Sequence, residues 1–167
     1  MTDRLITPSQ LSLFSRSPVI GAWWEEVNAT DPKRAPQPAV KALDDLLMEA
    51  GHEHEQVLIK RLEAEKKQVV RLDGGYREAD YKATIAAMRS GADYIWQASM
   101  HNDEMRGSAD LLERIEEPSA LGDWSYIPIE CKLSSHPKPI YLVQACAYCE
   151  LLSPILGQRP DRFKLYL

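Results

Sequence analysis

The segment "YIPIECKLSS" (residues 126–135) has the pattern of a buried strand, yet it contains an acid and a base inside an otherwise apolar run. Side chains of a β-strand point alternately to its two faces. One predicted face is apolar and consists of Ile127, Ile129, Cys131 and Leu133. The other face carries Pro128, Glu130 and Lys132. We therefore predict a strand that packs one face under a helix and presents an acid beside a base on the opposite face.

Two helices are predicted before the first strand. Thr7 can cap a helix, Pro8 suits its first turn and Gln10 completes a capping box, so a short helix begins here and runs into "SPVIGAWWEEV". A polar, proline-rich loop at 28–38 precedes a helical period over 39–66. One face of that helix is predicted to contain Leu43, Leu47, Ala50, His54 and Val57. Gly51 interrupts this helix, which a close approach by another segment would explain.

The remaining elements follow from shorter patterns. Strands are predicted at 68–73, 93–101, 106–115, 125–133 and 161–167, and helices at 77–91 and 138–152. The polar "NDEM" between the second and third strands indicates a hairpin. This order predicts an α/β or α+β domain around one sheet.

Length and composition favour one globular domain over residues 1–167. No apolar run approaches the roughly 18 residues of a membrane span, so we expect a cytoplasmic protein without a membrane partner. The net charge of −5 does not indicate the basic stripe that is usual in nucleic-acid-binding domains. The chain ends directly after the strand pattern "DRFKLYL", which indicates a domain from a longer protein.

Asp110 lies in the strand "GSADLLERI", and it converges with Glu130 and Lys132 if the two strands are neighbours. Two carboxylates on adjacent strands repel each other unless a cation lies between them, and Mg²⁺ prefers such oxygen ligands. A lysine beside the metal can orient or activate a water and stabilise charge at phosphorus. The alternative is an ion pair on a solvated sheet face, which the Glu-x-Lys pair alone favours.

Three further side chains bear on this site. His54 occupies an apolar helix face, where a lone histidine is more often a core residue, but beside two carboxylates it is a candidate third metal ligand. Gln144 and Tyr148 are four residues apart and share one face of the helix at 138–152. A core helix could carry this pair by chance.

Taken together, these motifs resemble the PD-(D/E)xK nuclease superfamily, in its RecB-like branch that includes CRISPR-associated exonucleases. The matching segments occur in the family's order: "GHEHE" (51–55), "GSADLL" (107–112), "IECKL" (129–133) and "QACAY" (144–148). The opening "ITPSQLSLFSRSP" is similar to the N-terminal helix of this group. The resemblance spans the chain from about residue 6 to its end.

The resemblance implies an α/β, restriction-endonuclease-like core with a mixed central β-sheet flanked by helices. It implies a nuclease dependent on Mg²⁺ or Mn²⁺, in which a metal-activated water hydrolyses DNA, single strands or ends above all, in repair, recombination or defence. The implied metal ligands are His54, Asp110, Glu130 and the backbone carbonyl of Cys131. Lys132 would position the water, and Gln144 and Tyr148 would contact DNA or brace the site.

One departure concerns the iron–sulfur cluster that many members of this branch hold. Ser17 stands where the first cluster cysteine would be, and the C-terminal cysteine triplet is absent or lies beyond the end of this chain. Cys131, Cys146 and Cys149 are better interpreted as packing residues, which argues against a cluster.

Two other classes of function remain open. One is a non-catalytic module of the same fold that binds nucleic acid, a partner protein or other domains of a parent protein. The other is a structural domain with a surface ion pair.

Overall fold

The computed structural model describes residues 5–30 and 41–167. Within these residues the helices are α1 (Pro8–Arg16), α2 (Pro18–Thr30), α3 (Lys41–Ala64), α4 (Glu78–Arg89) and α5 (Pro139–Leu156). The strands are β1 (Val69–Arg71), β2 (Tyr94–His101), β3 (Arg106–Ile115), β4 (Ser125–Cys131) and β5 (Lys164–Tyr166).

The five strands form one mixed sheet in the order β1-β2-β3-β4-β5. The two outer pairs, β1 with β2 and β4 with β5, are parallel, whereas β2, β3 and β4 are antiparallel. Asn102 closes the predicted hairpin, since its side-chain oxygen accepts hydrogen bonds from the N–H groups of Glu104 and Met105. The predicted α/β fold, with a mixed sheet flanked by helices, is confirmed.

The N-terminal capping box forms as predicted, but the first helix is shorter than predicted. Thr7 Oγ1 accepts from the N–H of Gln10, and Gln10 Oε1 accepts from the N–H of Thr7. The backbone of Ser17 is extended, which ends α1, and its hydroxyl accepts from the N–H of Ile20 in the first turn of α2. The predicted loop at 28–38 begins within α2, and its residues 31–38 lie outside the described residues.

The two faces of the sheet carry separate cores. On one face, residues of β2, β3 and β4, among them Tyr126, pack with residues of α4 and α5. On the other face, Leu111, Ile129 and Cys131 pack with Leu62 of α3. Tyr126 and Ile129 thus lie on opposite faces, which confirms the alternation predicted for β4 and places Glu130 on the α5 side.

The interior face of α3 differs from the predicted face. Leu47 and Val57 are 53% and 59% exposed, whereas Ile59 and Leu62 are buried. The side chain of Leu43 lies outside the described residues. A Cβ at Gly51 would meet no described atom within 4 Å, so a close approach by another described segment does not explain this glycine.

The end of β4 also differs from the prediction. The strand stops at Cys131, and Leu133 is 55% exposed instead of belonging to the apolar face.

Helix α5 is the most apolar helix among the described residues. Its 18 residues have a mean hydropathy of 1.3, which by length and composition alone would suffice to cross a membrane. The expectation that no apolar run approaches this length is therefore wrong. A core helix of a globular domain meets the same criteria, and α5 has seven residues that are buried in the fold.

Candidate active site

The sheet brings together the two acids and the base predicted from the sequence, Asp110, Glu130 and Lys132. Leu111 of β3 pairs with Ile129 of β4, and this register, continued by one residue, sets Asp110 opposite Glu130. Asp110 Oδ2 accepts a hydrogen bond of 2.8 Å from the backbone N–H of Cys131. The predicted convergence of Asp110 with Glu130 and Lys132 is a feature of the fold.

Glu130 is fully buried, with 0% of its surface exposed. The ammonium of Lys132 lies against its Oε1 atom, yet neither carboxylate oxygen accepts a well-directed hydrogen bond from the described residues. A buried charge without such partners is costly. The alternative of an ion pair on a solvated face therefore does not describe Glu130.

Burial dominates the protonation of both acids. Burial and the negative charge of Asp110 raise the pKa of Glu130 to about 8, although Lys132 opposes this shift. Burial also raises the pKa of Asp110 to about 6, against the lowering effects of Lys132 and of the Cys131 N–H group. Because the two carboxylates share one dry location, they hold their full negative charge only with further positive charge nearby.

Lys132 remains a cation in this environment. Burial alone would lower its pKa, but the carboxylates of Glu130 and Asp110 outweigh burial and raise the pKa above its ordinary value. The Lys132 side chain is 26% exposed, so it lies between the carboxylates and solvent. Lys132 is thus suited to orient groups and stabilise negative charge, and it is poorly suited to accept a proton.

Gln144 and Tyr148 lie beside this centre, as predicted for one face of α5. The Tyr148 hydroxyl donates a 2.8 Å hydrogen bond to the carbonyl of Ser108, two residues before Asp110 on β3. Gln144 Nε2 lies 3.5 Å from the same hydroxyl. Burial raises the pKa of Tyr148, so the phenol keeps its proton. Only 4% of Tyr148 is exposed, which favours bracing over DNA contact.

Glu55 of α3 is a site residue that the sequence interpretation missed. Its carboxylate accepts from Trp96 Nε1 at 3.2 Å and from Gln97 Nε2 at 3.4 Å. Its charge contributes to the raised pKa values of Asp110 and Glu130. A third carboxylate thus acts on the pair from a helix.

The helical period of α3 contains a signal for Glu55. Buried Ile59 lies four residues after Glu55, and buried Leu62 lies three residues after Ile59. Counting back along this buried face leads to Glu55, whereas counting forward from the exposed Leu47 leads to His54.

Gln97 adds a backbone feature that no sequence pattern indicates. Its φ of 54° lies in the left-handed region, and it stands opposite Asp110 where the β2–β3 ladder is interrupted. Its amide joins Glu55 to Ser108, whose hydroxyl donates to Gln97 Oε1 at 3.4 Å. Such backbone conformations are sparsely populated and cluster at functional sites.

His54, the predicted third metal ligand, packs against β5. Its ring stacks on Tyr166 of β5, with 4.5 Å between ring centroids, and its Nε2 atom is buried without a hydrogen-bond partner among the described residues. Tyr166 pairs with Cys131, so His54 lies near the end of β4. Over residues 5–30 and 41–167, no three or more His, Cys, Asp and Glu side chains are already gathered to hold a metal.

The cysteines occupy packing positions. Cys131 packs with Leu62 and Leu111 on the α3 face, and Cys149 is buried in α5. Cys146 lies in the same helix and is partly buried. The packing interpretation is confirmed for Cys131 and Cys149.

The fold and this site define a mixed α/β domain whose neighbouring strands β3 and β4 carry a partly buried and a fully buried carboxylate, with a lysine beside them. Comparison of the chain with protein-family models, with curated proteins and with solved structures finds no match.

Proposed function

We propose that this protein is a metal-dependent DNA nuclease. The observation that carries the proposal is the pairing of Asp110 and Glu130 on adjacent strands, with Lys132 against Glu130. A structural ion pair needs one acid and one base, whereas this site places a buried acid, Glu130, and a partly buried acid, Asp110, beside one base. Both acids can be ionised together only if a further cation lies beside them, which is the feature of a cation site.

The side chains present suit Mg²⁺ or Mn²⁺. Carboxylate oxygens are the ligands that these hard cations prefer. Glu130 Oε2 and His54 Nε2 are buried without hydrogen-bond partners among the described residues, so both can take up a ligand role. In a strand, the N–H and C=O of one residue point to the same side, so the Cys131 carbonyl also faces the Asp110 side.

A bound divalent cation would stabilise charge on the phosphate and lower the pKa of a water. The chain's own groups have the remaining tasks. Cys131 N–H fixes the orientation of the Asp110 carboxylate. Lys132, held as a cation, orients the attacking water and stabilises the charge that develops on the phosphate oxygens. Tyr148 holds β3 in place through Ser108.

Cleavage of labelled single-stranded and duplex DNA in Mg²⁺ or Mn²⁺ tests the proposal. Glu130→Gln and Lys132→Met should each reduce cleavage by about 100-fold or more. The matched controls are Glu113→Gln and Lys164→Met, because Glu113 and Lys164 form a charge contact of the same type elsewhere on the sheet. Cleavage that survives both site substitutions would overturn the mechanism.

A non-catalytic module of the same fold is the second candidate. Lys132 already neutralises part of the charge of Glu130, and no three ligands are preassembled among the described residues. Calorimetric titration with Mn²⁺ separates the candidates. A protein that takes up no Mn²⁺ at millimolar concentration is not the proposed enzyme.

A further inference from the structure

An open groove lies between the end of α1 and the start of α5. It has a volume of about 620 Å³ and is lined by Ser15, Arg16, Lys138, Pro139, Ile140 and Tyr141. The Ser12 hydroxyl donates to the carbonyl of Ile140 at 3.2 Å, which fixes the two helices beside the groove. The groove therefore lies between two helices that are held together by a hydrogen bond.

Tyr141 lines the groove and also lies near Lys132 of the proposed active site. The ammonium of Lys132 lies 5.9 Å from the centroid of the Tyr141 ring, and that of Lys138 lies 5.8 Å from it. Tyr141, Gln144 and Tyr148 are spaced by three and four residues, so they follow one face of α5. A ligand that extends from Lys132 along this face enters the groove.

The charge of the groove is positive although the whole chain is acidic. Arg16 and Lys138 are exposed, and neither forms an ion pair within the described residues. Arg16 also lies in the last turn of α1, beside the groove. Two unpaired cations and one aromatic ring, next to a site that would bind phosphate, match a nucleic-acid strand.

We propose that this groove binds a single-stranded segment of the substrate next to the phosphate that is cut. Arg16 and Lys138 contact the phosphates, and the Tyr141 ring stacks on an unpaired base. A ring can stack only on a base that is not already covered by its duplex neighbours, so the groove selects single strands over duplex. This assignment rests on the proposed nuclease function and adds the surface and the residues that would hold the single strand.

The test measures binding, so that it does not depend on cleavage. Every protein in this assay carries Glu130→Gln, and the protein with that substitution alone is the parent. Binding is followed by the fluorescence anisotropy of a labelled oligothymidylate of about 12 nucleotides, in EDTA and over a range of salt concentrations. Arg16→Ala with Lys138→Ala should weaken binding about tenfold and reduce the salt slope by about 1.4, for two phosphate contacts on a single strand. Arg89→Ala is the matched control, since Arg89 is exposed on α4 and has no ion pair within the described residues.

Substitutions of Tyr141 separate stacking from charge. Tyr141→Leu should weaken single-strand binding by about 5- to 100-fold with an unchanged salt slope, whereas Tyr141→Phe should bind like the parent. Circular dichroism confirms that each variant is folded. If the double cation variant and Tyr141→Leu both bind the oligonucleotide like the parent, the inference is wrong.

Failure of this inference can be told apart from failure of the proposed function. A protein that cuts DNA but binds independently of the groove would overturn the groove assignment alone. A protein that binds single strands through the groove but does not cut in Mg²⁺ or Mn²⁺ would overturn the nuclease alone.

Discussion

Asp110 and Cys131 are joined across two strands by a 2.8 Å hydrogen bond from the Cys131 N–H to Asp110 Oδ2. The bond fixes one oxygen of a carboxylate whose pKa burial raises to about 6. It leaves Oδ1 as the oxygen that can face a cation or Glu130. One backbone group therefore sets the orientation of a predicted metal ligand.

Asp110→Asn should separate this structural role from the catalytic one. An asparagine oxygen can still accept a hydrogen bond from the Cys131 N–H. Because the variant also lacks the charge of Asp110, its free energy of unfolding should equal or exceed that of the unsubstituted protein. Cleavage should fall by about 100-fold or more, because a neutral amide is a poor ligand for Mg²⁺. Urea unfolding and DNA cleavage provide the two measurements. An Asn variant that cleaves like the parent would exclude Asp110 from the site.

The stability of the metal-free protein should decrease as pH rises towards 8. The pKa of Glu130 is about 8 in the folded state and 4.5 ordinarily, so between these values the folded state binds more protons than the unfolded state. The unfolding free energy therefore falls with rising pH, by at most about 1.4 kcal/mol per pH unit for this group. Above about pH 8 Glu130 is ionised in the folded state as well, so this residue causes no further decrease in the free energy of unfolding.

Glu130→Gln provides the comparison for this titration. The variant should lack the contribution of Glu130, so the difference in unfolding free energy between variant and parent should grow from pH 5 to pH 8. Excess Mn²⁺ should reduce the pH dependence of the parent, because a bound cation replaces the proton. Parallel pH profiles of parent and variant would show that Glu130 does not titrate in this range.

The sequence was sufficient to predict the strands that carry the acids. Alternation in "YIPIECKL" placed Glu130 opposite the apolar face, and the hairpin pattern placed Asp110 on the neighbouring strand. Both inferences rest on the two-residue period of a strand, which is a local property. The burial of Glu130 could not be predicted, since it depends on how α5 covers the sheet.

The face of α3 shows where local patterns fail. Leu47 is apolar and exposed, so a helical period that starts from it selects His54 over Glu55. The burial of Ile59 on α3, and the hydrogen bond from Trp96 of β2 to Glu55, exist only in the folded structure. Because the preceding Leu47 is exposed, helical periodicity alone cannot decide which of the consecutive polar residues His54 and Glu55 faces the interior.

His54→Leu should change stability and metal affinity in opposite directions. Removing a buried nitrogen that has no partner among the described residues should raise the unfolding free energy of the metal-free protein by about 1 kcal/mol. If His54 is a metal ligand, the same change should weaken Mn²⁺ binding about tenfold or more. His52→Leu is the matched control, because His52 is exposed on the same helix. Unchanged Mn²⁺ affinity would make His54 a core residue only.

Tyr148→Phe should show whether bracing of β3 matters for catalysis. The variant loses the 2.8 Å hydrogen bond to the Ser108 carbonyl, which should cost about 1 kcal/mol of stability. We expect a lower kcat with little change in KM, because Tyr148 is buried and holds β3 without touching the substrate. A raised KM with an unchanged kcat would instead assign Tyr148 to DNA binding.

Alanine at two glycines should have opposite effects on stability. A Cβ at Gly107 would lie 2.8 Å from Pro8 Cδ and 3.1 Å from Tyr148 Cε1, both parts of rings that cannot move aside. Gly107→Ala should therefore lower the unfolding free energy by about 1–3 kcal/mol. Gly51→Ala should raise it by about 1 kcal/mol, because Gly51 lies inside α3 with no described atom within 4 Å of the new carbon. Urea unfolding of both variants measures the difference, and a Gly107 variant as stable as the parent would contradict the packing of Tyr148 against β3 and the start of α1.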